Sequence, residues 1–285
     1  MRVLGIKSRV GEWSNHVSIA AIVAFSLGLV GAVANADVVR VDDLEFSRVQ
    51  LIGSNELQIT QGDSNTLRIR GDSDDLTSPP FVVQGDMLRL GITAQGDSVS
   101  DVKFKLSTQG VSQIMLQGSG DVFVKPLSGD DLLVSVDGSG QIRMFDVEAG
   151  KLEVQVLGSG GVQAVRLGAN TVRLNVQGSG DIQVGSIEAD SIKAQIAGSG
   201  DIVVQDEGVA RMLEVAMMGS GDIEMKHIAT RVAKVTILGS GDAEVRVAES
   251  LEVEILGSGD LLYYGTPETS TSVMGSGEIT QQDGR

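Results

Sequence analysis

The chain reads as all-β: a right-handed parallel β-helix, a solenoid of roughly 20-residue coils with two short strands per coil. Three observations predict this. A Gly-Ser-Gly tripeptide starts at Gly118, Gly138, Gly158, Gly178, Gly198, Gly219, Gly239, Gly257 and Gly275, at intervals of 20, 20, 20, 20, 21, 20, 18 and 18 residues. Apolar and polar residues alternate on both sides of each tripeptide, as in Leu152, Val154, Val156 before one and Ile182, Val184 after another. Period two means strands with one buried face. Third, one such coil cannot bury enough apolar surface to offset the backbone entropy of ordering it, about 1–2 kcal/mol per residue, whereas stacked coils share one core.

Residues 1–36 read as a signal peptide. Arg2, Lys7 and Arg9 give a basic start, residues 17–34 are uncharged, and Ala34-Asn35-Ala36 places cleavage after Ala36. An uncleaved N-terminal anchor is the alternative, because the apolar run is long for a signal core. Without these residues, the chain's 22 basic and 38 acidic residues fall to 19 and 37, a net charge of −18. That charge excludes nucleic acid and anionic membrane surfaces as partners and suits divalent cations or basic ones. The chain has no cysteine, so no disulfide, thiolate metal site or cysteine lipidation is available. No transmembrane segment is expected after signal removal. Outside the leader the aromatics are Phe46, Phe81, Phe104, Phe123, Phe145, Tyr263 and Tyr264, too few for an aromatic carbohydrate cleft.

Residues 37–110 read as irregular N-terminal coils and a cap of the helix. VQLIGSNELQITQGDSNTLRIRGD alternates and turns at glycine, and GDSDDLTSPP (71–80) reads as a loop. The acid pairs Asp42, Asp43 and Asp74, Asp75 look like solvated loop residues. Residues 111–282 form the regular repeat. The tripeptide is one turn of each coil, its glycines permitting positive φ. The other turn has an alanine nine residues before the next glycine (Ala149, Ala169, Ala189, Ala210, Ala248), read as a column at a tight inner corner. Five residues before each tripeptide stand Glu153, Arg173, Lys193, Glu214, Lys234 and Glu252. Stacked in register they oppose unlike charges at every step but Arg173–Lys193, at about 0.2–1 kcal/mol per pair. Thr269 and Thr271 replace inward aliphatics and mark a last, capping coil. Residues 283–285 are a tail.

The repeated GSGDI, the opening FSRVQLIGSNELQITQGD and the closing YYGTPE…GSGEI resemble the head GIN domain family of exported bacterial β-helical proteins, over roughly residues 41–282. The resemblance implies export, fold and an autotransporter-adhesin association. Unlike a true autotransporter, the sequence shows no C-terminal run of alternating strands for an outer-membrane barrel.

After the tripeptides stand Asp121, Gln141, Gly161, Asp181, Asp201, Asp222, Asp242, Asp260 and Glu278. The first reading is that each aspartate accepts backbone N–H bonds and fixes its own turn. The second is a row of weak Ca²⁺ sites at Asp181, Asp201, Asp222, Asp242 and Asp260. Ca²⁺ is thus the one candidate cofactor. The nine serines suggest a hydroxyl ladder, since catalysis needs one activated serine rather than nine equivalent ones. His227, the only histidine outside the leader, reads as an exposed loop residue, and no catalytic or cofactor-binding residue is assigned. Between Gly118 and Glu278 no insertion is large enough to wall a cleft. The reading is a non-catalytic exported envelope protein, periplasmic or at the cell surface, presenting a recognition surface to an envelope protein or polysaccharide. The alternatives are an envelope scaffold that self-associates end to end as a homo-oligomer, and a polysaccharide lyase or hydrolase.

Overall fold

A computed structural model describes residues 37–72, 76 and 78–283. The expected signal peptide (1–36) and its cleavage site lie outside the described residues, as does part of the 71–80 segment. All described secondary structure is strand, and none of these residues forms a helix long and apolar enough to cross a membrane. The architecture is a parallel β-solenoid. Strand Gln141–Gly158 lies parallel to Gly161–Gly178, which lies parallel to Asp181–Gly198, each offset by one coil. The corner glycines stack in one unbroken column, Gly118, Gly138, Gly158, Gly178, Gly198, Gly219, Gly239, Gly257 and Gly275.

The two strands expected per coil are joined into one ladder with two further bends. In Gln141–Gly158 the buried positions are Ile142 and Met144, then Val147, then Leu152, Val154 and Val156. Alternation breaks at 145–146, where two neighbours are exposed, and again at 149–151. Pairing also lapses there, at Phe145 and Gly150. Each coil therefore has three inward runs separated by corners. A strand that turns a corner must shift its inside–outside phase, and a two-strand reading of the alternation misses this. The second-turn alanines differ from one another. Ala149, Ala169 and Ala189 stack half-buried and Ala210 is buried, but Thr230 and Val247 continue the column and Ala248 is exposed. The cause is the shorter 18-residue interval, which forces pairing to slip between Met225 and Ala229 and between Thr230 and Val232.

Stacked inward side chains form one core. Val134, Val154, Leu174, Ala194, Val215, Val235 and Val253 run along a single column, all but fully buried. Each larger aliphatic removed from water stabilises by about 1.5–3 kcal/mol.

The first corner of the solenoid is Gly53-Ser54-Asn55. Strand Arg48–Gly53 stacks on Gln113–Gly118 and Glu56–Gln61 on Asp121–Val124, so Gly53 pairs with Gly118. Residues 62–112 form an excursion on the far side. There Met87–Leu90 pairs parallel with Arg48–Gly53, and Lys103–Thr108 with Glu56–Gln61, making an outermost coil. Antiparallel strands end that coil: Thr66–Gly71 on Lys103–Thr108, Phe81–Gln84 on Met87–Leu90, and Asp37–Asp42 on Thr66–Gly71. Asn55, 1% exposed, ties the excursion down. Its Nδ2 donates to the carbonyls of Ile52 (2.9 Å) and Val99 (2.7 Å), and its Oδ1 accepts from the Val102 amide (2.9 Å). Asp86 bridges the same layers. The Arg48 guanidinium, then the Ser47 hydroxyl, hold its carboxyl below the usual carboxylate range.

The opposite end differs. Glu268–Gly275 pairs parallel with the preceding coil and Ile279–Gln282 with Leu261–Tyr264, and no described strand pairs beyond them. Thr269, Thr271 and Val273 stack on Leu251, Val253 and Ile255 but are exposed.

Candidate functional site

The edge carrying the Gly-Ser-Gly corners brings the most chemistry together. Each serine amide donates to the carbonyl of the first glycine one coil earlier, at 2.8–3.1 Å from Ser119 through Ser276. The two glycines serve different needs. The first adopts positive φ, +136° at Gly219. The second need not, but a β-carbon at Gly221 would collide with the carbonyl oxygen of Gly200 beneath it. Among the described residues the tripeptide serine hydroxyls make no hydrogen bond with one another, so the expected hydroxyl ladder is replaced by a backbone ladder.

The acidic row has a defined partner, and it is not its own turn. The amide of Asp201 donates to Oδ1 of Asp181 (3.1 Å), Asp222 to Asp201 (2.9 Å), Asp242 to Asp222 (2.9 Å), Asp260 to Asp242 (2.8 Å) and Glu278 to Asp260 (2.8 Å). Where no aspartate carboxylate is free beneath, the amide turns to a glycine carbonyl: Gly161 to Gly140 and Asp181 to Gly160. Gln141 stands on Asp121, but that carboxylate is taken by Arg143 (3.2 Å), and Gln141 also uses a glycine carbonyl, Gly120. An amide dipole at each carboxylate offsets the repulsion between stacked like charges. The five candidate calcium residues thus stand one per coil with one oxygen each engaged. Among the described residues no group of three or more His, Cys, Asp or Glu is placed to hold a metal ion.

This assigns Asp222 a structural role. Asp222→Ala leaves the Asp242 amide without its acceptor and should cost about 1 kcal/mol, a few degrees in thermal midpoint, while Asp222→Asn keeps the acceptor and should stay near wild type. Circular dichroism melts of both variants check this. A rise of the wild-type midpoint in millimolar calcium would instead support the metal reading.

Beside the glycine column runs a feature the sequence reading missed. The residue before each of the last five tripeptides stacks outward as Ala197, Met218, Leu238, Leu256 and Met274. Met218 is 61% exposed, Leu238 37%, Leu256 40% and Met274 70%. Aligning the repeats at that single position would have shown it. The edge therefore carries an apolar row and a carboxylate row on either side of a glycine corner.

The outward charged column stacks in the expected order, Glu153, Arg173, Lys193, Glu214, Lys234, Glu252. Its closed pairs are Lys193–Glu214 and Lys234–Glu252, each 2.7 Å. A second column pairs Arg211 with Asp190 (2.9 Å) and Arg231 with Glu249 (2.8 Å). The Arg231 guanidinium holds the Glu249 carboxyl below its usual range. Glu153 is bound instead by Gln155 (2.7 Å).

His227 is exposed, but it lies within strand Ile223–Gly239 rather than in a loop. It has no ladder partner in the preceding coil, because Gln205–Glu207, where the 21-residue interval carries its extra residue, do not pair with the coil of His227. Among the described residues two surface hollows are shallow and open, one over Gln61, Gly62, Asp63 and Gln109, the other beside Asp190, Arg211, Met212 and Arg231.

Known proteins bear on this geometry. The family model described as "Putative auto-transporter adhesin, head GIN domain" matches residues 45–166 and again 158–267. No curated protein sequence matches the chain. Among solved structures, a "putative adhesin" from Parabacteroides distasonis aligns with TM-score 0.68 and 21% identity over 87% of this chain and 97% of its own. A "putative lipid binding protein" from the same organism aligns at 0.64 and 24%, with the same coverage. A "putative adhesin" from Parabacteroides merdae aligns at 0.65 and 19%, over 87% of this chain and 96% of its own. These three share the fold. With two matches that together span most of the solenoid, the chain belongs to the head GIN domain family.

Proposed function

We propose that the protein is a non-catalytic envelope protein that binds its partner along the Gly-Ser-Gly edge, in the periplasm or at the cell surface. The observation that carries this is the row of exposed apolar side chains at one position of consecutive coils, Met218, Leu238, Leu256 and Met274, beside a row of carboxylates. Soluble proteins expose contiguous apolar strips chiefly where something binds. The rigid stack holds the strip straight, with a repeat of about 4.8 Å, which suits an extended ligand such as a polysaccharide or an envelope protein strand. Membership of an adhesin-head family and the near-constant coil length, which leaves no walled cleft, both favour binding over catalysis. The partner's source is the cell envelope.

The test uses protein expressed from the full-length sequence and recovered from the envelope fraction. It should cosediment saturably with isolated envelope fragments. Leu238→Thr combined with Leu256→Thr, which removes the apolar strip without stacking like charges, should weaken that binding at least tenfold with a thermal midpoint lowered by no more than a few degrees, because both side chains are outward and partly exposed. Unaltered binding would sink the assignment of the edge. Turnover of an acidic polysaccharide, lost on changing one carboxylate, would sink the non-catalytic reading.

A further inference from the structure

The two ends of the solenoid are finished in opposite ways, and the difference points to a partner. An unpaired strand edge invites another strand, and folded proteins blunt it with short strands, proline, charge or a cover. The N-terminal end uses these devices. The parallel ladder stops there at antiparallel strands. Of these, Phe81–Gln84 has four residues and follows Pro79 and Pro80. Asp37–Asp42 carries the Arg40–Asp42 ion pair (2.9 Å) on its exposed edge.

The C-terminal end also has a short strand, Ile279–Gln282, but no described antiparallel strand, ion pair or cover lies over its longer one. Its outermost strand, Glu268–Gly275, has eight residues, and Pro267 precedes it without interrupting it. The strand has one charge, Glu268, at its very start. In the charged outward column, Lys234 and Glu252 are followed here by Ser270. The inward residues Thr269, Thr271 and Val273 are uncharged, and the core beneath them is aliphatic. The other acids of this coil, Glu278 and Asp283, lie past the corner and outside the strand.

We propose that a second copy of this chain covers the C-terminal end, and that the two solenoids join tail to tail as a closed two-fold dimer. A head-to-tail joint would have to pair this edge with the antiparallel, charge-bearing end, whereas two identical bare edges match each other. A two-fold axis normal to the sheet makes the paired strands antiparallel and keeps inward residues opposite inward ones. Centring the axis on Thr271 pairs Thr271 with its own mate, Ser270 with Ser272, Thr269 with Val273 and Glu268 with Met274. No like charges meet, and Gly275, whose φ of +140° belongs to the corner, stays outside the ladder. Every coil boundary inside the molecule is already such a ladder, and the dimer adds one more.

The chain has no cysteine, so a single introduced thiol can bridge only to its mate. Residues directly opposite in an antiparallel ladder have Cα atoms about 4.5–5.5 Å apart, within disulfide reach. Thr271→Cys should therefore give a covalent dimer under mild oxidation. Met274→Cys, whose mate would lie six residues along the facing strand, should not. Light scattering on the wild-type protein should give a dimer mass, and Thr271→Lys, which sets two ammonium groups face to face at the axis, should weaken the dimer at least tenfold without lowering the monomer's thermal midpoint. A wild-type monomer at high micromolar concentration, filaments of growing mass, or bridging through Cys at position 274 rather than 271 would each overturn the proposal. None of these outcomes bears on envelope binding along the Gly-Ser-Gly edge.

Discussion

Alanine at Gly219 lowers the thermal midpoint by about 10 °C, although it adds a single methyl group at the surface. Two costs combine. Gly219 has φ of +136°, a region open to glycine but strained for any residue with a β-carbon, by about 1–3 kcal/mol. The methyl would also point down the stack into the carbonyl oxygen of Gly198. That oxygen is the acceptor for the Ser220 amide at 2.9 Å, so it cannot swing away without breaking the bond that joins the two coils. Nor can the corner open alone, since Met218 and Gly219 are paired in register with Ala197 and Gly198 below and with Leu238 and Gly239 above. A total of about 3–5 kcal/mol corresponds to a shift on the order of 10 °C for a domain of this size. Ser220→Ala is the control. Its hydroxyl is exposed and has no hydrogen-bond partner among the described residues, so its midpoint should stay within a degree or two. Melts of the two variants side by side check the argument, and equal midpoints would refute it.

How much of this was legible in the sequence follows from which contacts keep a fixed spacing. The glycine column and the charged outward column have constant offsets of one coil, so the repeat alone placed Lys193 on Glu214 and Lys234 on Glu252. Where chain order and stacking order part company, the sequence is silent. Gly53 pairs with Gly118 across 65 positions, and the coil that covers Gly53 on its other side comes later in the chain, at Met87–Leu90. Periodicity cannot reveal a coil that is skipped and then filled from outside. Asn55, standing where later corners have their second glycine, was unremarkable for the same reason: two of its three partners, Val99 and Val102, belong to that excursion. At the candidate site, sequence identified the acidic row but assigned each carboxylate to its own turn. Its acceptor role runs between coils, a distinction that depends on where the amide points and not on residue type. The apolar row was hidden by its neighbours, because Gln117, Asp137 and Gln177 hold the same position in three of the four earlier coils, Leu157 in the other.

Aspartate at Val215 should have the largest effect of any single substitution, while the same change three coils on, at Thr271, should have almost none on the monomer. The two residues belong to one inward column, Ala194, Val215, Val235, Val253, Thr271. Val215 is fully buried, with Ala194 below, Val235 above and aliphatic side chains across the core. A carboxylate there has no donor to meet it, and an unpaired buried charge costs several kcal/mol even after it takes up a proton. The expected loss is at least about 5 kcal/mol, on the order of 10–20 °C in midpoint. Burial raises the aspartate's pKa above its unfolded value near 4, so the folded variant binds more protons than the unfolded one across that interval. The penalty is therefore full above the raised pKa and shrinks as pH falls toward 4, and Val215→Asp should melt less badly at pH 5 than at pH 8. Thr271 is exposed, and its carboxylate would stay in water. Because each coil is held only by its two neighbours, the damage at Val215 should spread to both. Hydrogen exchange should show lost protection in Asp181–Gly198 and Ile223–Gly239 before the ends of the solenoid respond. A melt of Val215→Asp that matches Thr271→Asp would mean that the interior at this coil is wet, and the shared core would have to be redrawn.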